Sequence, residues 1–287
     1  MDKKVLAGVG IGGAIALVLG GQAVASRLAA KEVDKAIADV SDYVEIDYKK
    51  VDQSLLGRGT SVKDVVITPV LSGESIAVDE IVLYDFKQKD DVPTYMKFAV
   101  NGLSLTDDSM ETSEMFTELG YKGNVAANFA TEYEYEADGQ TMRLKKFEVG
   151  ADDVGDIEMN FQFSNISLDE EAVANFPFSL FGAEFHNAKI TYRDDSFMER
   201  IFETTAAAEG ISVKEAKESA IADLEADFES GESGLPEEFV SEMKAFIQDP
   251  DRFTITFSPD EPVPMSSFIS IEGPEDVIEL LNVRFES

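Results

Sequence analysis

The sequence predicts an α+β fold: an N-terminal transmembrane helix, then a curved antiparallel β-sheet of meander type, with C-terminal helices packed on one face or end. Three observations predict it. Residues 5–26 carry no charged side chain. A pattern of apolar, two others, apolar, one other, apolar recurs between residues 62 and 190. Beyond Tyr192, alternation gives way to helical spacing introduced by capping signatures.

The first element follows from length and charge. A bilayer core of about 30 Å takes roughly 20 helical residues, and Val5–Ser26 supplies 22, with Gln22 the only strongly polar one. Lys3 and Lys4 precede it and hold the N-terminus in the cytoplasm. Ala23-Val24-Ala25 fits an A-x-A cleavage site, so a cleaved signal peptide is the competing reading. Leu28, Ala29, Val33, Ala36, Ile37 and Val40 continue at helical spacing, which favours a retained anchor. Gly8, Gly12, Ala16 and Gly20 fall on one helical face, where small residues let two helices pack closely into a homodimer. The expected organisation is a cytoplasmic tail at 1–4, an anchor at 5–26, an amphipathic connecting helix at 27–42 and an exported domain at 43–287. Within that domain 43–192 is β-rich and 193–287 helix-rich, with no Pro/Gly/Ser-rich linker between them.

The strands come next. The repeat reads Val62/Val65/Ile67, Val78/Ile81/Leu83, Val100/Leu103/Leu105, Leu144/Phe147/Val149, Phe163/Ile166/Leu168 and Phe185/Ala188/Ile190. Alternation rich in Val, Ile, Phe and Tyr marks strands with one buried face. The two-residue step predicts a bulge or bend in each copy. Val125–Tyr135 alternates as well, and Ala137-Asp138-Gly139-Gln140 is a hairpin turn signal. Thr106–Gly120 interrupts the sheet with a short helix.

In the C-terminal part, Ser196-Phe-Met-Glu199 and Ser212-Val-Lys-Glu215 are capping boxes, each opening a helix. Pro236 suits the first position of a third helix. Phe253–Phe257 and Met265–Ile271 read as strands, Pro274–Leu281 as a final helix and Val283–Phe285 as a terminal strand.

Composition excludes whole classes of function. The 287 residues carry a formal charge of −33, and such a surface repels nucleic acid and anionic lipid headgroups. Cysteine is absent and His186 is the one histidine, so Cys/His zinc sites and cysteine nucleophiles are ruled out. No GxSxG elbow accompanies His186, which reads as an edge or half-buried strand residue. Asp152-Asp153-Val-Gly155-Asp156 is the densest acidic turn, and Asp223–Glu229 resembles the start of a calcium loop but lacks its glycine and final acid. No metal, cofactor or catalytic residue is expected, and the protein reads as non-enzymatic. An enzyme working with carboxylates alone, at Asp152, Asp153 and Asp156, is the remote alternative.

The anchor followed by φ-x-x-φ-x-φ strands is similar to bacterial envelope proteins of the AsmA-like and YdgA-like kind. The tail, Ala188-Lys-Ile-Thr-Tyr-Arg-Asp194, Ala206–Gly210, Ala245–Pro250 and Pro262-Val-Pro264, extends the resemblance. It implies a single-pass protein of the bacterial inner membrane with its folded part in the periplasm, and it carries over no functional residue. The chain is too short for a bridge between two membranes. The expected function is to bind a lipid or hydrophobic envelope client on the curved sheet, with Val65, Ile81, Leu103, Phe147 and Ile166 as candidate lining; the competing reading makes these residues a closed core. The alternative function is an adaptor, dimeric through its membrane helix, that presents an acidic domain to a protein partner.

Overall fold

The computed structural model describes residues 30–41, 44–53, 59–70, 73, 75–89, 92–104, 112–123, 125–168, 181–231 and 234–287. The described strands form one twelve-stranded antiparallel sheet. Its strands are β1 (Val44–Asp47), β2 (Lys50–Gln53), β3 (Thr60–Pro69), β4 (Ile76–Lys89), β5 (Val92–Ser104), β6 (Ala126–Glu136), β7 (Thr141–Ala151), β8 (Gly155–Ser164), β9 (Glu184–Asp194), β10 (Arg252–Phe257), β11 (Val263–Pro264) and β12 (Val283–Glu286). They order as β1-β3-β4-β5-β6-β7-β8-β9-β10-β12, with β2 on β3 and β11 on β9.

This topology corrects the predicted fold class. The helices are few, and strands from the stretch expected to be helix-rich join the sheet: β10 pairs with both β9 and β12. Strand pairing is set by contacts far apart in sequence, which local periodicity does not report. The predicted transmembrane helix has no counterpart among the described residues, where no helix is long and apolar enough to cross a membrane. Segment 5–26 itself lies outside the described residues.

The chain divides into two compact units, Met1–Tyr135 with Lys145–Asp152, and Glu136–Leu144 with Asp153–Ser287. In the first, the two-residue steps of the repeat fall side by side. Val62 faces Ile81 and Val65 faces Val78, so Lys63-Asp64 lies against Asp79-Glu80. Glu80 in turn faces Asn101, and the β5–β6 register shifts between Val100 and Leu103. Alternation has period two, so an unmatched break would turn one strand's apolar residues outward. Matching the break across three strands keeps Val62, Val65, Ile67, Ile76, Val78, Ile81, Leu83, Val100 and Leu103 on one buried face. The backbone makes the step by left-handed residues, Asp64 at φ 50° and Gly102 at φ 76°, and the Gly102 N–H donates to Asn128 Oδ1 at 3.1 Å. At the step of β7, Thr131, buried on β6, donates its hydroxyl to the Lys146 carbonyl at 3.1 Å. Helices α1 (Ala30–Val40) and α2 (Thr112–Glu118) bury Val33 and Phe116 in this unit. Tyr48 donates to Asp34 on α1 at 2.5 Å, and burial with that carboxylate pushes the phenol up to about 12.

The second unit packs α3 (Phe197–Glu209), α4 (Val213–Ser230), α5 (Glu237–Gln248) and α6 (Pro274–Leu281) with β8–β12. Its core is aromatic: Phe185, Phe246, Phe253 and Phe285 with Val263, Leu281 and Val283. Phe239 of α5 meets Phe285 edge-on at 5.0 Å and Phe253 at 6.0 Å. A smaller cluster of Phe202, Ala206, Ala216 and Ile247 joins α3, α4 and α5. The Ser212 capping box forms in full: its Oγ accepts from the Glu215 N–H at 3.2 Å and its own N–H donates to the Glu215 carboxylate at 2.8 Å. The box expected at Ser196 does not form, because its hydroxyl donates to the Asp153 carbonyl. Asp194 takes over, accepting from the Met198 N–H at 3.0 Å. Pro236 is the N-cap and α5 starts one residue later.

Met265–Ser270 is a 3-10 helix, not the predicted strand. Pro262 and Pro264 have no N–H to give to a ladder, so only Val263–Pro264 pairs with β9 before the Met265 N–H turns to the Ala183 carbonyl at 2.9 Å.

Candidate functional site

The sequence places its candidate lining on the buried faces of the repeat, and the structure puts those residues in packed surroundings. Val65, Ile81 and Leu103 are 1%, 1% and 3% exposed. Phe147 is half-buried, its ring edge-on to Phe129 at 4.9 Å, and Phe129 touches Phe98 at 5.5 Å. Ile166 is buried just beyond the end of β8, after a left-handed Asn165, with its N–H donating to the Gln140 carbonyl at 3.0 Å. A ligand would reach Val65, Ile81 or Leu103 only by displacing what covers them. Gly8, Gly12, Ala16 and Gly20 lie outside the described residues.

Open apolar surface occurs instead on β8. Ile157, Met159, Phe161 and Phe163 share one face of this strand, opposite Tyr192, Ile190, Ala188 and Phe185 of β9. Ile157 is 39% exposed, and the other three are half-buried. The far end of the row is anchored: Phe163 meets Phe161 at 5.2 Å and Phe185 at 5.5 Å, both edge-on. The four side chains extend about 20 Å at 3.4 Å per residue.

Polar groups fill the other face of β8, and several of them pair with neighbouring strands. Arg193 donates to Asp156 at 2.7 Å and to Glu158 at 3.1 Å. Its hydrogen bond with Glu158, together with the charge of Asp156, raises the guanidinium further above its ordinary range. Arg143 donates to Gln162 at 3.3 Å. Asp156 of the acidic turn is thus engaged by Arg193, while Asp153 occupies a left-handed turn position at φ 63°. Among the described residues no group of three or more His, Asp or Glu side chains is arranged to hold a metal ion.

The same face holds a constellation that the sequence alone does not reveal. A register shift between Gln162 and Phe163 leaves His186 bulged on β9. There its Nε2 lies 2.8 Å from Ser164 Oγ, and Ser164 donates to Glu184 Oε2 at 3.2 Å. A serine beside a histidine invites comparison with a nucleophile and its base. Ser164 Oγ links His186 and Glu184 across the bulge, and which group donates in the His186–Ser164 contact follows the imidazole tautomer. Only the pairing of Ser164 with Glu184 could have pointed to it, and pairing is set at long range.

A protein family described only as "Uncharacterized protein" matches residues 148–287, a stretch that coincides closely with the main body of the second unit. Comparison with curated proteins finds no match.

Proposed function

We propose that this is a non-enzymatic protein of the bacterial envelope that carries a lipid acyl chain along the apolar row of β8. The observation that supports the reading is the row itself: four large apolar side chains at strand spacing, open to solvent at Ile157 and closed by aromatic contacts at Phe163. Exposed apolar surface of this length is costly unless something covers it, at about 25 cal/mol per Å². A narrow, extended row suits an extended hydrocarbon chain. On the face behind it Asp156 and Glu158 are paired with Arg193 and Gln162 accepts from Arg143. Placement in the envelope rests on the sequence, on the two lysines before an uncharged segment and on the resemblance described above.

The test uses a fluorescent fatty acid titrated into the full chain. Wild type should enhance its emission, and the double variant M159E/F161E should lose at least about tenfold in affinity, the equivalent of 1.4 kcal/mol. The same substitution pattern on the polar face, N160E/Q162E, should leave binding within about twofold. Equal binding by all three proteins would remove the β8 row as the site.

A further inference from the structure

The 3-10 helix and α6 enclose a second, chemically different surface. An open depression of about 590 Å³ is lined by Ser267, Ser270, Ile271, Asp276, Glu279 and Leu280. Its volume is that of a ligand-sized cleft. Ile271 and Leu280 supply the apolar part of the lining, with the hydroxyls of Ser267 and Ser270 and the carboxylates of Asp276 and Glu279 beside them. Beside it Ile269 projects with 73% of its surface exposed, the most exposed large hydrophobic side chain among the described residues.

Charge decides what fits. Residues 253–283 contain Asp260, Glu261, Glu272, Glu275, Asp276 and Glu279, and no lysine or arginine. Some carboxylates elsewhere are answered by bases: Glu158 by Arg193, Glu225 by Lys244, Glu199 by Lys217. Here the carboxylates have no cationic partner among the described residues. Asp276 is occupied by its own backbone, accepting from the N–H groups of Glu272 and Gly273 at 2.9 and 3.3 Å. Among the described residues the Glu279 side chain has no such engagement, and it lines the depression.

We infer that this depression docks a basic peptide segment of a protein partner, an apolar side chain seated on Ile271 and Leu280 and a lysine or arginine paired with Glu279. An apolar anchor surrounded by complementary charge is the arrangement that gives an interface both affinity and orientation. A purely cationic ligand would forgo the apolar lining and the contact with Ile269. A lipid headgroup or phosphate is repelled by the same carboxylates. This surface is independent of the β8 row, and neither proposal requires the other.

The probe is a short fluorescent peptide of alternating leucine and lysine, followed by anisotropy against the full chain at low ionic strength, where surface electrostatics are least screened. Glu279→Lys should weaken binding about tenfold. It should fold normally, since a cation in the last turn of a helix suits the macrodipole. Ser267→Trp, which fills the depression, should weaken binding to a similar degree. Glu218→Lys makes the same change in net charge on α4, where Glu218 pairs with Lys214 at 3.1 Å, and should leave binding within about twofold. A lysine-only peptide should bind at least about tenfold more weakly than the leucine–lysine probe. Equal losses at Glu279 and Glu218 would reduce the effect to the general −33 charge of the chain and overturn the proposal. Equal binding of the lysine-only peptide would overturn the apolar anchor, and with it the assigned partner.

Discussion

Strands β3–β5 of the first unit and strand β8 of the second carry the same kind of side chains and put them to different use. Both alternate Val, Ile, Met and Phe with polar residues. In β3–β5 every strand breaks alternation at the same level, so buried side chain meets buried side chain: Val62 with Ile81, Ile81 with Val100, Leu83 with Phe98. In β8 the alternation runs unbroken to Ser164 and the partner strand β9 absorbs the irregularity at His186. Its apolar row stays half-open. The difference teaches that the pattern states which face is apolar, whereas neighbours decide whether that face is core or surface.

The sharpest way to break this comparison is to remove methylenes from both places. Ile81→Ala should cost about 2–5 kcal/mol, because the side chain is fully enclosed and its neighbours relax only partly into the cavity. Met159→Ala, on the half-open row, should cost about 1 kcal/mol, since much of that side chain is already in water. Denaturant unfolding followed by circular dichroism measures both. Comparable losses would mean that β8 is as closed as β3–β5 and would take the acyl-chain reading with it.

A second experiment asks whether β8 is permissive in backbone as well as in side chains. Gly155 opens the strand at φ 145°, and a Cβ there would stand 2.5 Å from the Arg193 carbonyl oxygen. Gly155→Ala should therefore cost about 1–3 kcal/mol through backbone strain and the clash with that oxygen. It leaves every apolar contact of the row in place. A loss that small side-chain changes on β8 do not show would separate a rigid strand from an open surface. A neutral Gly155→Ala would mean that the β8–β9 edge gives way easily.

These contrasts also mark what was legible in the residues. The repeats at 62–67 and 78–83 are local signals, carried by β-branched side chains at period two, and the structure places both on strands. The Ser212 box and the Asp138-Gly139 hairpin are likewise short-range, and both form. What failed depended on distance. Phe253–Phe257 reads as a strand, yet nothing local says that it joins β9. Met265–Ile271 has strand-like residues but two prolines before it that end the ladder. Ser164 and Glu184 are 20 residues apart and meet only through register. Ile81 and Ile157 fit the same apolar alternation, and only their neighbours make one 1% and the other 39% exposed.

The smallest expected effect lies on the solvated face of the first unit, where charge replaces packing. Glu132 of β6 accepts from Lys97 at 2.8 Å and from the Tyr95 hydroxyl at 3.0 Å. The hydrogen bond from Lys97, against an opposing effect of burial, holds the carboxyl below the ordinary glutamate range. Desolvation and the Glu132 carboxylate push Tyr95 up to about 12. A carboxyl with a depressed folded pKa stabilises the fold above its unfolded value, about 4.3, and that contribution is lost as pH falls through the folded pKa. Lys97→Met removes the main cause, so the folded and unfolded values draw together. At neutral pH the variant should be less stable by about 0.5 kcal/mol, the range of pairs that solvent still reaches; the Glu132 side chain remains 21% exposed. On acidification the wild type should lose that advantage and the two stability curves should converge. Curves that stay parallel down to acid would show that the pair contributes no charge-dependent stability. The solvated face of β5–β6 would then owe its order to the packing beneath it and nothing to the ion pairs on top.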